Sequence, residues 1–390
     1  MLANTTGGLS HQNMKTLYNY CVLPALSYAS PVWWSGNQGQ IKKIEGIQNR
    51  RLRTIIPVFF TTDIHAIQVE SGVPPLQIRL NYMKQRAAAR LAAKIASSNP
   101  IHGRLPDQLQ REHHRRYAAP PPLPVIPTRR KGGMPNKFKE STIHEIMKGI
   151  PRNIEKVTPA HTIPPWQTSA QDKRYTLRLT TNPARRGTTK GEAADEHWTR
   201  ITQLPQDANY TIMYTNGSMK EKDQESRTGA GWVLYWKGTE RRNGSEGMGK
   251  CAEVYDAEML ARLRGLETAT EFQPTMPAEQ ARIILFADNT SSIASIINEK
   301  PGSSQQISQK CVETATQFLN ENRRASIEVS WVPGHMDIAG NDRADEIAKE
   351  ATELEPATEI TTIANLHRQL RNNMKVEWVA ERAKKPRTGR

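Results

Sequence analysis

Cysteine is scarce. Cys21, Cys251 and Cys311 stand far apart without a CxxC pair, which argues against a disulfide framework and a zinc module and fits a reducing compartment. Long apolar runs are missing too. Residues 16–41 carry no charge, but Asn19, Pro24, Ser27 and Pro31 interrupt them, so this stretch reads as buried helix and turn rather than a membrane span. The N-terminus also lacks the charged, apolar and small-residue succession of an export signal. No internal repeat is present, and acidic residues are in deficit, with 39 Asp and Glu against 54 Lys and Arg. The resulting charge of +15 suits a polyanionic partner, because neutralising phosphates supplies affinity without sequence readout.

That charge is unevenly spread: residues 1–205 sum to +18, residues 206–355 to −8 and residues 356–390 to +5. Length alone, 390 residues, suggests two or three structural units. Residues 101–205 hold 13 of the 25 prolines, including Pro120, Pro121, Pro122, Pro124 and Pro127, with basic pairs at Arg129-Arg130 and Arg185-Arg186. Such composition predicts an extended, largely disordered basic linker, a spacer that can also track phosphates. It separates a helical region, 1–100, from an α/β domain, 206–355, with a basic tail at 356–390.

In the first region Ile41, Ile44, Ile47 with Gln48, Leu52 and Ile55 recur at helical spacing, and an Ala/Arg-rich helix runs from Leu80 to Ala96. No catalytic constellation is visible there. The third region changes character. Three strands with Gly-containing turns are followed by a helix over 254–270, the buried strand RIILFA, helices over 289–297 and 305–321, the strand ASIEVSWV and a helix over 341–353. The order βββαβααβα implies one mixed sheet with helices on its faces.

Acidic residues sit at informative places in that pattern. Glu258 borders the apolar face of the 254–270 helix, where a carboxylate needs a partner. Asp288 directly follows RIILFA, at the carboxyl end of a strand where ligands of open sheets collect, although an N-cap role for the next helix accounts for it equally well. Asp345, beside Asp342 and Glu346, lies in the first turn of the last helix, a position that macrodipole pairing also explains.

Together these residues resemble the ribonuclease H family. The carrying motifs are YTNGS (214–218), DAEMLA (256–261), FADNTSSI (286–293) and WVPGHMDIAGNDRADEIAKEA (331–351), about 150 residues in all. The resemblance implies a ribonuclease H-like mixed five-stranded sheet, preceded here by the small helical region and the Pro-rich linker. It further implies four carboxylates holding two Mg2+ ions, with Mn2+ as a substitute, for hydrolysis of the RNA strand of RNA:DNA hybrids. Two metals suit the chemistry, since in-line phosphodiester hydrolysis needs an activated water and a stabilised leaving oxygen. Glu258, Asp288 and Asp345 match three family ligands, and His335 matches the mobile loop histidine, beside the plainer reading of a turn residue next to Gly334. The fourth ligand position departs from the family: Asn216 stands where an aspartate is expected. An amide offers one neutral carbonyl oxygen and cannot bridge two cations. Severely impaired cleavage with retained hybrid binding is therefore the expectation, and a catalytically impaired hybrid-binding remnant is the alternative to an active nuclease. The family also points to Gly217, Ser218 and Asn289 for contacts to the RNA strand. The basic handle of some members is absent, because only 298–304, with Lys300 as its one basic residue, separates the two helices.

Residues 15–85 are similar to the thumb-like region of non-LTR retrotransposon reverse transcriptases, on LPALSYASPVWW (23–34), Gln48-Asn49-Arg50 and SGVPPLQIRL (71–80). An unrelated helical domain with buried Trp33 and Trp34 is the competing reading. The chain contains no Asp-Asp pair, which argues against polymerase function for it alone. The thumb-linker-nuclease order implies a retroelement origin and allows a reverse transcriptase partner on another chain. The expected partners are an RNA:DNA hybrid and nucleic-acid backbone held by the basic N-terminal region and linker, with no membrane partner. The ending KKPRTGR leaves a nuclear and a cytoplasmic place equally open, both intracellular.

Overall fold

Helical repeats of apolar residues build the first region. The computed structural model describes residues 8–94, 147, 149–157, 178–204, 210–222, 225–272, 281–297, 302–357 and 359–383. The Pro120–Pro127 run, Arg129-Arg130 and the ending KKPRTGR lie outside the described residues. The chain divides into two units, residues 1–152 with 366–390, and residues 153–365.

In the first unit, α1 (His11–Leu17) continues through a π turn into α2 (Leu23–Ser27) and α3 (Ser30–Trp33), followed by α4 (Gln38–Ile55), α5 (Ile64–Ser71) and α6 (Leu76–Lys94). Asn37 starts α4 by accepting from the Gly39 and Gln40 amides, and Gly72, at φ +62°, closes α5 in the left-handed conformation that glycine tolerates. The buried face of α4 is Ile41, Gln48, Leu52 and Ile55, whereas Ile47, expected in that stripe, is 47% exposed. Gln48 takes the inward place because its amide donates to the Pro74 carbonyl at 2.9 Å, which satisfies a buried polar group. Trp34 is fully buried, with its indole N–H donating to Asn81 Oδ1 at 2.8 Å, and Trp33 packs at the edge of the same core.

The second unit contains a six-stranded sheet, one strand more than the sequence suggests. Its strands are β1 (Leu179–Asn182), β2 (Tyr210–Lys222), β3 (Glu225–Trp236), β4 (Thr239–Gly249), β5 (Arg282–Ala287) and β6 (Ser326–Trp331), in the spatial order β1-β6-β5-β2-β3-β4. β2, β3 and β4 form the expected antiparallel meander, while β5, β6 and β1 run parallel to β2. The helices are α7 (Lys190–Thr202), α8 (Val254–Glu271), α9 (Thr290–Ile297), α10 (Gln305–Glu321), α11 (Ala339–Ala351) and α12 (Ile363–Ala383), the last crossing the unit boundary.

Period-two alternation divides the sheet between two cores. Met213, Ile283, Leu285, Ile327 and Val329 face one cluster with Leu263, Leu266, Cys311 and Leu319 of α8 and α10. Ile212, Tyr214, Ile284 and Phe286 face the other, with Ile347 and Ala344 of α11 and Ala194 of α7. β1 and α7 fall within residues 101–205, the expected linker, and α12 within the expected tail. They are ordered for identifiable reasons. β1 pairs with β6 from Leu179↔Ile327 to Asn182↔Ser330, and α7 opens on a capping box in which Thr189 and Glu192 satisfy each other's amides. No helix among the described residues is long and apolar enough to cross a membrane.

Candidate active site

The parallel register sets the site. Thr215 of β2 pairs with Ala287, the last residue of β5, so Asn216, still paired with Gly231 of β3, and Asp288, just past the end of β5, lie at the same level. α8 presses on β2 at the adjoining position: a Cβ on Gly217 would overlap the Glu258 backbone nitrogen and lie 2.9 Å from the Val254 carbonyl. That close approach brings Glu258 into the same corner and leaves it 3% exposed.

Burial pushes the Glu258 carboxyl up to about 8, and the charges of Asp288 and Asp345 add to the rise, while Arg262 and the Gly217 amide pull it down. Its Oε2 is buried without a hydrogen-bond partner among the described residues. Arg262, one turn further along α8, is fully buried and donates to Ser292 Oγ at 2.5 Å. Asp288 is half-buried; burial raises its carboxyl, Asp345 raises it further, and His335 and Lys190 hold it down. Three carboxylates thus feel one another across the corner, from just past β5, from α8 and from α11.

The alternatives left open by sequence separate here. Asn289, not Asp288, caps α9, its Oδ1 accepting from the Ser291 and Ser292 amides at 3.0 and 3.2 Å. Asp288 instead lies under the Gly334 turn, where a Cβ on Gly334 would come 2.6 Å from Oδ2. α11 begins at Ala339, two residues before the expected start, which moves Asp345 out of the first turn. Its Oδ2 accepts from Lys349 at 2.6 Å, a one-turn ion pair rather than a macrodipole contact. His335 is exposed and adopts φ +59°, left-handed for a residue with a Cβ, as does Asp337 at +54°. Asn216 is buried and its Oδ1 accepts from the Gly217 amide at 2.8 Å. Ser218 follows on β2, partly buried.

The donor chemistry fits a hard divalent cation: Glu258 Oε2 lacks a partner and the three acids repel one another. No three His, Cys, Asp or Glu side chains among the described residues are grouped as a metal cage. Magnesium does not need one, since it keeps several waters and is commonly held through one or two carboxylates plus substrate oxygens.

Two contributors escaped the sequence reading. His197 of α7 is buried against Tyr214, its Nε2 3.0 Å from the phenol oxygen, with its ring edge-on to Phe286 at 4.6 Å. Lys190 reaches the Gly334 carbonyl at 3.4 Å and acts on Asp288. The available signal was Thr189-x-x-Glu192, a helix start inside the Pro-rich segment.

Residues 208–353 match the RNase H family, so the chain carries an RNase H domain there. Among solved structures it is similar to RNase H1 of Halobacterium salinarum (24% identity, 36% of this chain and 96% of that one, TM-score 0.28). It is also similar to the N-terminal RNase H domain of an Rv2228c fusion from Mycobacterium tuberculosis (18% identity, 37% and 95%, TM-score 0.29). A third likeness is LC11-RNase H1 from compost, solved in complex with an RNA/DNA hybrid (17% identity, 36% and 98%, TM-score 0.28). No curated protein sequence matches the chain.

Proposed function

We propose that this chain recognises RNA:DNA hybrids and hydrolyses their RNA strand by RNase H chemistry, at a rate severely reduced by Asn216. The observation that carries the proposal is the convergence of Glu258, Asp288 and Asp345 beside Asn216. Glu258, Asp288 and Asp345 would hold Mg2+, or Mn2+ in its place, which when bound supplies an activated water and charge stabilisation at the leaving oxygen. Asn216 would offer such a cation one neutral carbonyl oxygen in place of a charged carboxylate. His335, exposed on its turn and acting on Asp288, would serve the leaving-group side of the scissile phosphate. Gly217, Ser218 and Asn289 would contact the RNA sugars, and shape with 2′-hydroxyl contacts accounts for hybrid recognition without base readout.

The basic residues outside the domain supply most of the affinity, because residues 206–355 carry −8. A retroelement origin, with a thumb-like first unit, a polymerase half on another chain and an intracellular place, accounts for the order of segments and for the loss of one ligand. A labelled hybrid with Mg2+ or Mn2+ tests the reading. The natural chain should bind the hybrid and cleave it slowly, and Asn216→Asp should cleave at least about a hundredfold faster, on the scale of a lost transition-state electrostatic contact. No gain on Asn216→Asp would overturn the catalytic reading and leave the second one, a hybrid-binding protein without turnover.

A further inference from the structure

Lys190 stands outside the segment that matches the RNase H family, yet its ammonium lies at the edge of the carboxylate corner. It is the first residue of α7, where the positive end of the helix dipole disfavours a cation. Its acidic neighbour Glu192 does not neutralise it, because that carboxylate accepts from the Thr189 amide and hydroxyl at 2.8 and 2.9 Å. Among the described residues no ion pair involves Lys190, and its one polar contact is the long 3.4 Å approach to the Gly334 carbonyl. That carbonyl belongs to the turn that covers Asp288 and carries His335. An exposed, weakly held ammonium at the rim of a site for phosphodiesters is placed to receive a phosphate.

We propose that Lys190 is a substrate-positioning residue that binds a backbone phosphate of the hybrid at the rim formed by α7 and the Gly334–His335 turn. The inference rests on the hybrid recognition proposed above. A phosphate oxygen would replace the Gly334 carbonyl as partner of the ammonium, a stronger, charge-assisted hydrogen bond. The strand β1 and the capping box of α7 hold the lysine there, so a segment outside the family match supplies part of the substrate contact.

The test uses the full chain and a hybrid of about 20 base pairs, with amine-reactive footprinting read by mass spectrometry beside binding anisotropy at several salt concentrations. Lys190 should lose most of its reactivity when hybrid binds, while Lys237, on the β3–β4 turn against the Trp236 ring, keeps its own. Lys190→Gln should weaken binding roughly threefold or more and lower the salt slope by about 0.9, the share of one phosphate contact, and Lys190→Arg should restore both. Full binding by Lys190→Gln with an unprotected Lys190 in the natural chain overturns the assignment and leaves hybrid recognition standing. Absence of any hybrid binding by the natural chain overturns both.

Discussion

Lys349 holds Asp345 from one turn along α11, with Nζ 2.6 Å from Oδ2. The lysine supplies a positive charge to a carboxylate that shares its corner with Asp288, Glu258 and Asp342. The two side chains are unequally exposed, 60% for the lysine and 19% for the aspartate, so the pair contributes little to stability and would compete with a cation for Oδ2. Lys349→Ala should leave the melting temperature within about 2 °C and strengthen Mn2+ binding by up to about fivefold. Calorimetric titration reads this directly, and unchanged affinity would remove Asp345 from the ligand set.

Glu258 makes the metal-free protein sensitive to rising pH. Its folded-state value, about 8, lies above the ordinary 4.5, so its neutral form is favoured in the fold and this stability is fully present below 4.5. It is lost as pH climbs through 8. Urea midpoints in chelator should therefore fall between pH 5 and 8.5, and Glu258→Gln should flatten that decline.

His197 acts in the opposite direction. Burial and the charge of Arg200 lower its value from 6.5 to about 4, so the fold favours the neutral ring. Below pH 6.5 the unfolded chain takes up the proton first, and about 3 kcal/mol is lost by the time pH reaches 4. His197→Phe should remove this acid-side loss in denaturant titrations at pH 4 to 7.

Gly217→Ala should damage the site and the fold together. The added methyl meets backbone rather than a yielding side chain, so α8 must move away from β2 and carry Glu258 with it. Overpacking of this kind costs about 1–3 kcal/mol. Loss of Mn2+ binding at temperatures where circular dichroism still reports native helix would identify the displacement of Glu258.

β1 and α7, which precede the segment matching the RNase H family, complete the sheet and the core of the second unit. A fragment beginning at residue 206 would omit β1 and α7, stripping Ala194 and His197 from Tyr214 and Phe286 and leaving β6 as a bare edge. Compared with residues 153–365, residues 206–365 should melt at least about 10 °C lower, on the scale of a few kcal/mol of lost apolar burial. Equal melting temperatures would show that β1 and α7 contribute no stability.

Legibility in the sequence follows how local each signal is. The β2–β4 meander, β5 and α8 announce themselves because their apolar periods are complete within their own residues, and RIILFA brings Asp288 with it. Even so, spacing alone does not tell Asp288 from a cap; in the fold Asn289 takes that role. β1 has only four residues, LTTN, and one buried side chain, Leu179; its stability comes from β6, about 150 positions away, and surrounding prolines dilute its composition. α12 hid in the same way, since Leu366 and Leu370 are its few buried anchors amid basic residues. Lys190 could not be found from spacing at all, because only the folded turn at Gly334 brings it to the corner.

The tight seat of Gly217 against α8 has one last implication. Asn216 occupies the volume an aspartate would, buried and with its Oδ1 held by the Gly217 amide. Asn216→Asp exchanges one NH2 for one oxygen and keeps the side chain's volume. Asn and Asp codons differ by a single base, so one point mutation separates the two side chains at this position.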